Sequence, residues 1–150
     1  MDFLNTDFLE NDEIKLTVDR LSEGDPVRNW VPAYHFFICD KEGNEMGYCD
    51  LRIGYNELLY YGGHIGYGVK EEYRGHHYAA KACRLLFELA RKHDMKYLYI
   101  TCNPDNWPSR RTLMYLGGEL VEIAELPEDN DMRVEDGETH KCIFRFDLGE

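Results

Sequence analysis

Arg74-Gly75-His76-His77-Tyr78-Ala79 lies between a short apolar and aromatic run and an amphipathic segment, a place where a chain can hold an anion. The run before it, Gly62 to Val69, opens on two glycines and reads as a strand, and Lys70 to Tyr73 reads as a charged turn. After it, Ala79, Ala82, Cys83, Leu86 and Ala90 fall at the i, i+3, i+4, i+7, i+11 spacing of one helical face. The N–H groups of a first helical turn have no partner inside the helix, and the helix dipole favours negative charge beside them. With an arginine and a glycine adjoining, such a turn suits phosphate oxygens.

The elements that must position this turn are readable on both sides. Downstream, Tyr97 to Cys102 is a β-branched and aromatic strand, so the strand, helix and strand make a unit long enough for a parallel crossover. Ligands of open α/β sheets bind at the carboxyl ends of such strands. Asn103 to Ser109 then leads into a helix entered at Pro108 and Ser109 and stopped by Gly117-Gly118, with Leu113 and Leu116 inward. Upstream, Glu13–Asp19, Ala33–Cys39 and Glu45–Tyr55 read as strands, the last two joined by the hairpin turn Asp40-Lys41-Glu42-Gly43-Asn44. Residues 1–12 read as a loose arm or a helical turn, 22–32 as a loop with at most one helical turn, and 56–63 as a turn. Beyond the second helix, 119–124 and 141–148 are strands, and acid-rich 126–141 is a solvated loop.

Composition narrows the class. A chain of 150 residues with 43% hydrophobic and 31% charged residues describes one globular domain spanning residues 1–150, with no internal repeat. It contains no apolar run of membrane-spanning length and its acidic start is unlike a signal peptide, so a cytoplasmic location is expected, with no membrane partner. Five cysteines without a CxxC pair imply buried free thiols, and adjacent His76 and His77 without further ligands imply no metal. A net charge of −12 argues against nucleic acid. Residues 74–118 nevertheless hold eight Lys/Arg against three Asp/Glu, or +5, while the remainder carries −17. That split suits an anionic ligand at the basic island and a cationic one elsewhere.

The order of elements and two local motifs resemble the GNAT-type N-acetyltransferases. That family carries Arg/Gln-x-x-Gly-x-Gly/Ala after its fourth strand, the frame occupied here by Arg74 to Ala79, and Asn-x-x-Ser/Ala after its fifth, occupied by Asn106 and Ser109. A glycine eleven residues beyond the Asn is matched by Gly117, and the resemblance covers roughly Gly47 to Ile123. It implies an α/β fold (α+β in some schemes): a central mixed, mostly antiparallel sheet of six to seven strands, with a parallel β-α-β crossover and flanking helices. It also implies acetyl-CoA as co-substrate, with the pyrophosphate on Arg74, Gly75, His76, His77, Tyr78 and Ala79. The pantetheine would lie along exposed main chain near Gly68, Val69 and Lys70, with Asn106 and Ser109 opposite. The family often forms homodimers through a sheet edge or its C-terminal strands.

Two positions depart from the pattern. His77 stands at a family glycine, so its side chain either points away or joins in binding the anion. Leu113 stands seven residues after Asn106, where the family often has a tyrosine acid; Tyr115, about 200° further round the helix, should face elsewhere. Direct transfer needs an unprotonated amine and so benefits from a base. His64, Tyr67, Glu71 and Asp50 stand near the central strands, and no spacing selects among them; Arg52 either pairs with Asp50 or meets substrate. The expected activity is acetyl transfer to an amine of a small molecule or peptide. A non-catalytic acyl-CoA-binding domain is the alternative, and an interaction module without cofactor a third.

Overall fold

The computed structural model describes residues 1–149. Its four-stranded sheet is a meander of β1 (Ile14–Ser22), β2 (Ala33–Asp40), β3 (Glu45–Arg52) and β4 (Ile65–Val69), every neighbour antiparallel. Period-two alternation sets which face is covered. Ile14, Leu16, Tyr34, Phe36, Ile38, Cys49, Leu51 and Ile65 are buried on one side, while Arg20, His35, Asp50 and Arg52 occupy the other. Helix α2 (Tyr78–Lys92) packs on the covered side through Ala82, Cys83, Leu86, Leu89 and Ala90, all fully buried. Between β3 and β4 lies α1 (Glu57–Gly62).

The rest of the chain forms a second sheet of β5 (Tyr97–Cys102), β6 (Glu119–Glu125) and β7 (His140–Asp147), in the order β5-β7-β6 and again antiparallel. Helix α3 (Trp107–Tyr115) links β5 to β6, and α4 (Asp131–Asp136) precedes β7. One hydrophobic cluster draws on both sheets, with Leu98, Ile100, Cys142 and Phe144 joining the residues under α2.

Several expectations are corrected. The seven strands make two sheets, not one, and the β4-α2-β5 unit gives no parallel pair, because β5 takes β7 as its neighbour. The stretch 56–63 is helical: Asn56 Oδ1 accepts the Leu59 N–H at 3.0 Å and the Gly63 N–H closes on the Leu59 carbonyl at 2.8 Å. The acid-rich loop likewise contains α4, capped by Asn130 Oδ1 on the Met132 N–H. The N-terminal arm is fastened, since Leu9 is fully buried, Phe3 meets the Tyr34 ring edge-on, and the Leu4 N–H donates to the Tyr34 hydroxyl at 2.8 Å. Strand β1 runs on to Ser22 through a bulge after Val18, whereas β3 stops at Arg52 rather than Tyr55. The five cysteines are free and buried. No helix among the described residues is long and apolar enough to cross a membrane.

Candidate functional site

The register of β4 leaves one of its edges open. Its ladder with β3 is framed by Arg52 N–H to His64 O and Lys70 N–H to Met46 O, both 2.8 Å. Backbone groups alternate in direction along such a ladder. Those of Gly66, Gly68 and Lys70 therefore meet β3, while those of Ile65, Tyr67 and Val69 face the gap toward β5. Across that gap the His64 N–H donates to the Tyr99 carbonyl at 2.7 Å, and the strands continue into different sheets. Of the main chain expected to receive an extended ligand, Gly68 and Lys70 thus point the wrong way. Val69 points correctly, although its carbonyl already accepts the Arg74 Nε–H at 3.1 Å. Tyr67 is the further group that register turns toward the gap, and residue types alone gave no sign of it; Ile65, turned the same way, is buried.

A cavity of ≈640 Å³ lies along this edge and reaches the starts of α2 and α3. Gly68, Val69, Arg74, Gly75, His77, Tyr78, Ala79, Asn106 and Ser109 line it together with Tyr67, so sequence positions far apart converge; Lys70 and His76 are not in the lining. At the start of α2, Gly75 has φ +92° and His77 φ +62°, and no side chain caps the helix. The Lys81 N–H returns to the His77 carbonyl at 2.9 Å, which leaves the N–H groups of Tyr78, Ala79 and Ala80 as the open donors of the first turn.

His77 adopts the left-handed conformation that glycine would hold without strain. It stacks on Tyr115 with centroids 4.5 Å apart and planes at 18°, while the Arg84 guanidinium sits 5.2 Å from the centre of the Tyr115 ring. Tyr115 therefore lines the cavity mouth instead of facing elsewhere. Pro108, Thr112 and Tyr115 share the lining at i, i+4, i+7, a spacing from which it was readable. Asn106 caps α3, its Oδ1 accepting the Ser109 N–H at 3.2 Å. Arg111 lines the cavity, whereas Arg110 donates to the Pro104 carbonyl at 2.9 Å and covers Trp107.

The proton-transfer candidates separate by position. Tyr67 shares a 2.7 Å hydrogen bond with the Ser109 hydroxyl, and burial pushes its phenol pKa up, against the opposing effect of that bond. His64 is fully buried with both ring nitrogens engaged. Nδ1 accepts the Tyr99 N–H at 3.0 Å, so Nε2 carries the proton and donates to the Gly54 carbonyl at 2.9 Å. Burial lowers its pKa to about 4, so the ring is neutral at neutral pH, and its one lone pair, on Nδ1, is held by the Tyr99 N–H. Glu71 is exposed in a helical turn outside the cavity. Asp50 accepts the Gly66 N–H at 3.0 Å and pairs with Arg52 at 3.2 Å. Leu113, at the position of the family's tyrosine, is fully buried.

A second cavity of ≈440 Å³ opens where the chain enters β4, lined by Gly62 and Gly63, by Arg20, His35 and Arg52 from three strands, and by Trp30, Leu58 and Met132 among others. Apart from Arg52 and the two glycines, none of these was singled out in the sequence.

Comparison with known proteins bears on the whole arrangement. Residues 10–119 match the family model for the acetyltransferase (GNAT) domain. The microcin C7 self-immunity acetyltransferase MccE, solved in complex with acetyl-CoA and AMP, superposes with a TM-score of 0.61 at 21% identity, covering 77% of this chain and 61% of its own. The ribosomal-protein-S5-alanine acetyltransferase from Vibrio fischeri gives 0.60 at 20%, covering 77% and 62%. Spermidine N-acetyltransferase from Vibrio cholerae gives 0.58 at 12%, covering 77% and 65%. The chain thus spans less than two thirds of each of these structures. No curated protein sequence matches it. With the family model matched across β1 to α3 and both motifs converging on one cavity, the chain belongs to the GNAT acetyltransferase family.

Proposed function

We propose that this protein is an acetyl-CoA-dependent N-acetyltransferase, a single domain that joins acetyl-CoA and an amine in a ternary complex. The observation that carries the reading is the ≈640 Å³ cavity connecting an unpaired strand edge to an uncapped helix N-terminus. An extended chain of amides suits the Tyr67 backbone groups and the Val69 N–H, and a pyrophosphate suits the Tyr78, Ala79 and Ala80 N–H groups. Arg74 and Arg111 in the same lining add positive charge. The residues present therefore fit the co-substrate that the family implies.

In this reading the amine nitrogen attacks the thioester carbonyl, a C–N bond forms, the C–S bond breaks and the amine proton passes to solvent. The chain's contribution is to hold the reactants and to supply a proton at the leaving sulfur. Tyr67 suits the proton-supplying role by its place, since it lines the cavity, burial keeps its phenol protonated and Ser109 fixes its hydroxyl; the same burial makes it a weaker acid than a free tyrosine. The other named candidates are assigned structural places, His64 joining β4 to β5 and Glu71 facing solvent. Five free thiols support a reducing, cytoplasmic setting.

Titration with acetyl-CoA while following thermal unfolding, then free thiol release with an amine panel, tests the proposal. A concentration-dependent rise in Tm with thiol release supports it; a flat Tm overturns it. The buried Leu113 favours one other reading, a non-catalytic acyl-CoA-binding domain, for which the Tm would rise and no amine would release thiol.

A further inference from the structure

We infer that the ≈440 Å³ cavity at the start of β4 is the acceptor site, and that Arg20 and Arg52 select there an amine whose skeleton also carries a carboxylate or a phosphate. This rests on the N-acetyltransferase reading above and names its substrate class.

Antiparallel register builds the site on the uncovered face of the meander. Arg20 pairs with His35 across β1 and β2, and His35 pairs with Asp50 and Ala33 with Arg52 across β2 and β3. Two guanidinium groups thereby come to flank one imidazole, although 32 positions separate Arg20 from Arg52. Among the described residues no carboxylate lies within ion-pair distance of Arg20. Arg52 spends only Nη1 on protein partners, the Asp50 carboxylate and the Gly63 carbonyl, each at 3.2 Å. Its remaining N–H groups are open to a ligand. Asp50 in turn is occupied by Arg52 and the Gly66 N–H.

His35 adds no charge that would change this balance. Burial lowers its pKa, with Asp50 and Asp19 opposing and Arg20 and Arg52 reinforcing the shift. Of the two arginines in the lining, Arg52 is met by Asp50 and Arg20 by no carboxylate, and the lining itself holds one acid, Asp131. The acidic remainder of the chain suggested a cationic acceptor, but at physiological salt charges beyond about 8 Å are largely screened, so the lining decides. A guanidinium fork matches carboxylate and phosphate alike. Trp30, half exposed, with Leu58 and Met132 gives the rest of the cavity an apolar wall for the body of the acceptor.

A matched series with one apolar body tests this: benzylamine, para-aminomethylbenzoate, para-aminomethylphenyl phosphate and para-xylylenediamine. Each is assayed by thiol release with acetyl-CoA and by calorimetric binding to the CoA-loaded protein. Expected is a kcat/KM or affinity at least tenfold higher for an anionic member than for benzylamine, lowest for the diamine, with the two anions telling carboxylate from phosphate. In Arg20→Gln that preference falls about tenfold, in Arg20→Glu it inverts toward the diamine, and in Lys41→Gln, an equal charge change at the distant hairpin, it stays. Equal or better use of benzylamine or the diamine, no preferential binding of either anion, or an unchanged ratio in Arg20→Gln would overturn the inference. Failure of acetyl-CoA itself to bind is a different result and overturns the enzymatic reading instead.

Discussion

His64 and Tyr99 are bonded twice: the His64 N–H donates to the Tyr99 carbonyl at 2.7 Å, and the Tyr99 N–H donates back to His64 Nδ1 at 3.0 Å. An imidazole nitrogen here stands where a strand neighbour would supply a carbonyl, and it ties the two sheets together at the point where they part. Replacing His64 by Ala leaves a buried N–H without a partner and a ring-sized void. The expected loss is about 3 kcal/mol by chemical denaturation, and a loss below about 1 kcal/mol would remove the joining role.

The same ring makes stability depend on pH. Its pKa is lowered to about 4 in the folded chain from 6.5, so the unfolded chain takes up the proton first. The contribution is complete above pH 6.5 and is lost as pH falls toward 4, amounting to about 3 kcal/mol in all. His35 and His93 are shifted in the same direction, burial being the main cause for both. Denaturant midpoints measured from pH 7.5 to 4 should hold to about pH 6.5 and fall below it, less steeply in His64→Gln.

Tyr67→Phe separates proton donation from binding. The phenyl ring keeps its place against the core while the hydroxyl on Ser109 disappears. With a thiolate left unprotonated, kcat should fall about a hundredfold and the KM for acetyl-CoA change less than threefold. Unchanged kcat would return the hydroxyl to a packing role.

Ala79→Glu places a carboxylate in the first turn of α2. Acids there favour the helix, by about 0.5 kcal/mol, so Tm should hold or rise slightly. Acetyl-CoA affinity should nevertheless drop more than tenfold, because the new charge occupies the donors offered to phosphate. Undiminished affinity in calorimetry would remove the anion from this turn.

His77→Gly weighs two opposed effects. The left-handed backbone at φ +62° costs a non-glycine residue about 1–2 kcal/mol, and the stack on Tyr115 returns about 0.5–1.5 kcal/mol. The change in stability should therefore stay within about 1 kcal/mol, and acetyl-CoA affinity should not fall. A loss of affinity would mean that the His77–Tyr115 stack itself contacts the ligand.

How much the sequence disclosed depended on the length of each pattern. The burial of Ala82, Cys83, Leu86 and Ala90 follows from the spacing in α2, alternation marked β1, and apolar and aromatic runs marked the other strands of the meander. Helices α1 and α4 have six residues each, too few for a period, although Asn56 with Gly63 and Asn130 with Gly137 signal their ends. The parting of the sheet was hidden because β5 looks the same whether β4 or β7 is its neighbour. In the ≈640 Å³ cavity Arg74, Gly75, Asn106 and Ser109 meet, residues that the two motifs had singled out, while Lys70 and His76 stay outside its lining. Arg20 and His35 carry no motif, and register alone brings them together.

The order β5-β7-β6 also has a kinetic side. Among the described residues, strand β5 meets the first sheet only at Tyr99 on His64, and β6 has no sheet to join until β7 arrives to lie between them and pair with both. That pairing spans contacts as distant as Tyr97 with Asp147, and closing so long a loop is slow. The meander and α2 can assemble from local contacts well before it. Asn106, Ser109 and Tyr115 would be the late-arriving wall of the cavity, so the capacity to retain the ligand should appear at the last folding step rather than with the bulk of the secondary structure.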